Sequence, residues 1–175
     1  MDNSIIKNND ELILDRQFLK HNKARKNVYI CSPLSADSEF GVLKNMLAAR
    51  KYMLYANKFM CVGARAPHAY LPVILCDKVP AERAIALEFG LKILQQSDEL
   101  FVCGKTLSHG MIGEIIQSVK LNIPIRVFDK EIYIEVRKIV TKNGGLKRTV
   151  LFDGDNPDMA KTVSDLFEDN LLNAS

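Results

Sequence analysis

Short apolar runs separated by helix-length segments constrain this chain more than any other feature. Residues 28–31, 61–67, 99–103 and 124–128 read as strands, each closed by turn-forming residues such as Ser32-Pro33 or Gly104. Between them, Leu43, Met46, Leu47 and Leu54 recur at helical spacing over residues 42–59. Pro80 suits the first turn of a second helix over 80–96, which is apolar nearly all round and is therefore expected to be well buried. A third helix is expected over 108–121. Strands whose apolar residues run on without alternating are covered on both faces, and strands that alternate with helices form a parallel sheet.

After Phe128 the pattern changes. Residues 131–142 look helical, Asn143-Gly144-Gly145 breaks that helix, and residues 148–152 suggest a further strand. A turn over 154–157 then precedes a closing helix over 159–172. A peripheral helix is expected over 10–22. The reading is one domain over 1–175. Its core lies at about 27–129, between an N-terminal helical extension over 1–26 and a C-terminal extension over 130–175.

Composition narrows the function classes. The chain has 175 residues, 47% hydrophobic and 26% charged, which is ordinary for a globular domain with a real core. No run is long and apolar enough to span a membrane, and the first residues lack a signal peptide's layout, so a cytoplasmic protein is expected. The net charge of +3 is too small to imply nucleic acid, although basic residues gather near the start and acidic ones near the end. Cys31, Cys61, Cys76 and Cys103 form no CxxC pair and read as small buried hydrophobes, so no metal or disulfide is expected, and no cofactor.

The candidate site follows from the sheet. In open α/β sheets ligands bind beyond the carboxyl ends of the strands. The third strand ends there at Gly104, and Ser108 and Gly110 lead into a helix that carries Glu114. With Met111, Ile112, Ile115, Ile116 and Val119 as that helix's buried face, Glu114 points away from its centre. Glycine lets a ligand approach the backbone closely, and free N–H groups at a helix start favour an anionic group. Tyr29, Ser32, Pro33 and Ser35, at the tip of the first strand, face the same cleft edge, and His68 reaches it from the loop after the second strand. Gly104, Ser108, Gly110 and Met111 complete the expected binding set. Glu88, on the helix before the third strand, is a candidate acid if buried, since burial raises a carboxyl pKa. Asp98 is a further candidate, at the strand end away from the cleft, where it could equally close a turn.

The order VYICSP, ARAPHAYLP, SDELFVCG and SHGMIGEI resembles the nucleoside 2-deoxyribosyltransferase-like superfamily, over about residues 28–128. The resemblance implies a flavodoxin-like, doubly wound parallel sheet of four to five strands with helices on both faces. It also implies a homo-oligomer and a nucleotide or nucleoside as ligand. Glu114 stands where the characterised relatives carry the nucleophile that attacks the anomeric carbon. Ser108, six residues before it, stands where the branch acting on 5′-monophosphates has a phosphate-holding serine. The family's acid aspartate would fall at Gly90 or Leu91, neither of which can donate a proton. Glu88 or His68 would have to substitute.

Two functions are therefore expected to compete. The first is an N-glycosidase or 2-deoxyribosyltransferase-like enzyme acting through Glu114, on a 5′-phosphorylated ligand. The second is a non-catalytic module that senses or sequesters a nucleotide-derived ligand in the same pocket. A flavin-binding protein shares the sheet type but would want a phosphate loop that is not evident here.

Overall fold

In the computed structural model, residues 25–166 are described. Five strands form one all-parallel sheet in the order β2-β1-β3-β4-β5: β1 (Asn27–Cys31), β2 (Gly63–Arg65), β3 (Glu99–Val102), β4 (Ile125–Val127) and β5 (Val150–Phe152). This is the flavodoxin-like order of a doubly wound sheet, and the strand order reverses between β1 and β3. The helices are α1 (Glu39–Phe59), α2 (Leu71–Ile74), α3 (Pro80–Gln95), α4 (His109–Lys120) and α5 (Lys130–Lys142). Among the described residues no helix is long and apolar enough to cross a membrane.

The period of two along a strand sends successive side chains to opposite faces. Tyr29, Cys31, Leu100, Val102, Ile125 and Val127 point to one side and pack on α3, α4 and α5. Val28, Ile30, Phe101 and Cys103 point to the other and pack on α1 and Met159. The central strands β1 and β3 thus carry apolar side chains on both faces, Val28–Cys31 and Leu100–Val102, as the sequence suggested, with Asn27 and Glu99 at their starts. Helix starts follow from local chemistry. The Ser38 hydroxyl accepts the N–H of Gly41 ahead of α1, and Asp129 accepts those of Glu131 and Ile132 ahead of α5.

Three expectations need correction. In α1, of the four apolar residues that set the spacing only Met46 is buried: Leu43, Leu47 and Leu54 are exposed, and Ala48, Ala49, Tyr52 and Ala56 lie against the sheet. Small side chains let the helix axis approach the strands closely, and that closeness wins over the size of any one residue. Helix α3 is not well buried either. Only Ile93 and Leu94 are enclosed, and Ile85 (56%) and Leu87 (64%) stand open. Its last turn alone reaches the sheet core, while its earlier turns flank a cavity. Of the cysteines, Cys31 and Cys103 are buried but Cys61 and Cys76 are exposed, because both sit in loops rather than strands.

The expected helix over 10–22 lies outside the described residues, as does the end of the one over 159–172, from 167 onward. Its start is a 3-10 turn, Pro157–Ala160, which seats Met159 in the core.

A second set of charges crosses the α1 side of the sheet. Glu99, 1% exposed, receives Arg126 Nε at 2.9 Å and Lys26 Nζ at 3.4 Å. Arg126 also reaches Asp153 at 3.0 Å and lies over the Phe101 ring. Charges taken out of water must be paired in this way, so the network ties β3, β4 and the end of β5 together.

Candidate functional site

A cavity of about 460 Å³ opens beyond the carboxyl ends of β1 and β3, at the strand-order reversal. Five segments wall it: the loop after β1, the 3-10 turn after β2, α2 with the loop behind it, the inner side of α3 and the start of α4. Each follows a strand or packs beside one, so the parallel topology itself gathers them.

Glu114 sits on this wall. Gly113 and Gly110 on the same helix leave the backbone beside it bare, and Ser118 Oγ donates to its carbonyl at 3.0 Å. Tyr29, which reaches out from the middle of β1, donates its hydroxyl proton to Glu114 Oε1 at 2.6 Å. A short bond of this kind is charge-assisted and strong. Burial raises the Glu114 carboxyl from 4.5 to about 7, with the hydrogen bonds from Tyr29 and Cys31 pulling in the opposite direction. Desolvation dominates because no cation stands against the carboxylate among the described residues. The Tyr29 phenol is itself held well above its ordinary value, first by burial and then by the neighbouring Glu114 charge. A partly ionised carboxylate at neutral pH, oriented by a phenol that stays protonated, can act as a nucleophile or as a proton carrier.

On the opposite wall, Ser32 Oγ and His68 Nε2 lie 2.8 Å apart, and both residues are buried. Burial pushes the His68 imidazole down to about 4, so it is neutral at pH 7. It can offer or accept a hydrogen bond there, but it cannot bring the extra proton that a departing group would need. Ser108 also lines the cavity. Its hydroxyl accepts the N–H of Met111 at 3.3 Å and so caps α4, which leaves its own proton free to donate. Ser35, Gly110 and Met111 share the wall.

Other expected residues lie elsewhere. Glu88 is 65% exposed and pairs with Lys92 at 2.7 Å on the outer side of α3, so it is not a buried acid. Asp98 accepts the N–H of Asn27 at 2.8 Å and stitches β1 to β3 at the far end of the sheet. Gly104 (φ 85°) donates to the Met159 carbonyl and faces Tyr52, away from the cavity. Pro33 is not on the wall. Gly90 and Leu91 are on it, so the wall carries no acid at the two positions where the resemblance would put one.

Sequence reasoning missed five polar residues on the wall: Asp77, Glu82, Arg83, His109 and Gln117. Two of them had a usable signal. Gln117 lies three residues after Glu114 and Glu82 eight before Gly90, spacings that put each pair on one helix face. Asp77 lies in a loop and had none.

No curated protein matches the sequence. Among solved structures, a 2-deoxyribosyltransferase from the psychrotolerant bacterium Bacillus psychrosaccharolyticus is distantly similar, at 17% identity and a TM-score of 0.44. The match covers 58% of this chain and 71% of that one. Residues 26–128 match the family described as Domain of unknown function (DUF7768). That span is more than half of the chain and runs from β1 through β4, taking in every residue of the cavity wall, so this chain belongs to the DUF7768 family.

Proposed function

We propose that the chain cleaves the N-glycosidic bond of a nucleoside or nucleotide, with Glu114 as the attacking group. The observation that carries this reading is a carboxylate without a cation partner, held at 2.6 Å by a tyrosine, on the wall of a 460 Å³ cavity at the strand-order reversal. The motif resemblance around Val28–Cys31 and Ser108–Glu114 supports it. In the first step a Glu114 oxygen bonds to the anomeric carbon while the carbon–nitrogen bond breaks, its electron pair leaving with the base. Tyr29 keeps its proton and fixes the carboxylate's direction. Water or a second base then attacks the same carbon and releases Glu114. Where the sugar carries a 5′-phosphate, Ser108 and the free N–H groups at the start of α4 would hold it.

Two further properties belong to this proposal. The exposed apolar residues Phe40 and Leu43 on α1 and Ile85 and Leu87 on α3 support a homo-oligomer, checked by light scattering. The reaction needs no metal or cofactor.

A second reading has its own observation. With Gly90 and Leu91 at the two positions where the resemblance would put an acid, and His68 neutral, the expected proton donors for a departing base are missing, which favours a module that binds the ligand without turning it over. Incubation with a panel of nucleosides and 5′-nucleotides, with free base followed by chromatography, separates the two. Base release by the wild type and none by Glu114→Ala is expected for the enzyme. Thermal stabilisation by a ligand without base release assigns the binding module.

A further inference from the structure

The inner side of α3 is a graded strip. Glu82, Ala86 and Gly90 follow one another at helical spacing, and all three line the cavity. At the inner end, a Cβ on Gly90 would come within 3.4 Å of the Tyr29 hydroxyl, which holds Glu114. Eight residues up the helix, about 12 Å at 1.5 Å per residue, the strip ends on Glu82. Between the two ends the wall is apolar: Leu71, Leu75, Ala86, Leu87 and Leu91.

Glu82 is held in a fixed attitude. Its Oε2 accepts the backbone N–H of Cys76 at 2.6 Å, and Oε1 has no partner among the described residues. Oε1 is not sealed off either, since the one buried side-chain nitrogen or oxygen without a partner among those residues is Arg137 Nε. The neighbouring cation does not serve it: Arg83 spends its guanidinium on Asp77 at 2.6 Å. Arg83 is also the only Lys or Arg on the cavity wall among the described residues. An ionised carboxylate can only accept hydrogen bonds. A ligand lying along the strip with its reacting end at Glu114 meets an acceptor at its outer end and apolar side chains in between, a wall that suits a donor and a flat ring.

We propose that Glu82 is a specificity-determining residue that selects a ligand whose heteroaromatic ring carries an N–H-donating, amino-bearing edge. This rests on the N-glycoside reading above and adds the kind of base to it. Glu82 is half-buried, and a ligand seated along the strip would cover its Oε1; an analogue that covers the acceptor without offering a donor leaves it unpaired and binds less well.

The test compares two matched pairs: 2-deoxyadenosine with its analogue lacking the 6-amino group, and 2-deoxycytidine with its analogue lacking the 4-amino group. Base release and ligand-induced thermal shift are measured for the wild type, Glu82→Ala and Glu82→Gln. In the wild type at least one amino-bearing member is expected to be favoured by about tenfold or more, mainly through KM. Glu82→Ala should bring that ratio close to one, with no more than a small fall in the melting temperature of the free protein from the loss of the Cys76 N–H contact. Glu82→Gln, which keeps an acceptor oxygen, should retain part of it. Equal treatment of both members of each pair by the wild type, or an unchanged ratio in Glu82→Ala, overturns the proposal while leaving Glu114 its role. If the wild type neither binds nor cleaves any nucleoside or nucleotide, the N-glycoside reading falls and this inference falls with it.

Discussion

Glu99 and Glu114 are both drawn out of water on opposite sides of one sheet, and their surroundings could hardly differ more. Glu99 is met by Arg126 at 2.9 Å and Lys26 at 3.4 Å, with Asp153 completing the set through Arg126. Glu114 is met by a tyrosine hydroxyl and by no cation among the described residues, and its carboxyl rises to about 7. A buried charge that is fully paired ties strands together, whereas one left without a counter-charge keeps an unfavourable energy that chemistry or a ligand can draw on. The first site serves the fold. The second is where function is to be sought.

The largest expected effect lies on the paired side. Arg126→Met should cost about 3–5 kcal/mol in urea unfolding, because Glu99 is left buried with only the more distant Lys26. Glu99→Leu combined with Arg126→Met should recover much of that loss. A single-variant loss below about 1 kcal/mol would show that the network is not the tie it looks like, and would erase the contrast.

On the unpaired side the sign reverses. The Glu114 carboxyl titrates higher folded than unfolded, so the folded state binds more protons between 4.5 and about 7. Stability from this group is present below that window and is lost as pH rises through it. Glu114→Gln should therefore be more stable than wild type at pH 8, by on the order of 3 kcal/mol at 1.4 kcal/mol per pH unit, and no more stable at pH 4. Unfolding curves at the two pH values decide this, and a difference independent of pH would contradict it.

Tyr29→Phe removes the donor that partly offsets burial. It should cost about 1–3 kcal/mol at pH 8 and less at pH 5, since a hydrogen bond to a charged acceptor is worth more than one to a neutral acceptor. If the chain is an enzyme, the rising limb of kcat/KM with pH should move to higher pH as well. The smallest effect is expected at Glu88, which faces water beside Lys92: Glu88→Ala should leave melting temperature and ligand response at wild-type values. A loss of function there would mean that α3 turns its other side to the ligand.

The contrast also shows what a sequence makes legible. Glu114 could be picked out because strand, glycine-bearing loop and helix are contiguous, and a parallel sheet fixes where such a segment lies. Glu99 could not, since its partners Lys26 and Arg126, and Asp153 that shares Arg126 with it, come from separate parts of the chain. Helix α3 illustrates the same limit in one segment. Its spacing announces a helix, but with apolar residues nearly all round nothing local says which side turns inward. Glu88 looked the better acid and faces solvent, while Glu82 faces the cavity.

By itself, the sequence determined the elements and their order. The period of apolar residues, Pro80 at a helix start and the turn residues after each strand act within a few positions along the chain, and so did the location of the cleft once the strands were known to be parallel. Only the tertiary structure decided the pairings across it: Tyr29 with Glu114, Ser32 with His68, Arg83 with Asp77 away from Glu82. It also decided which face of α1 and of α3 is covered. These depend on how closely each helix settles against the sheet, a sum of many small packing contacts among distant residues, and no local pattern along the chain records that sum.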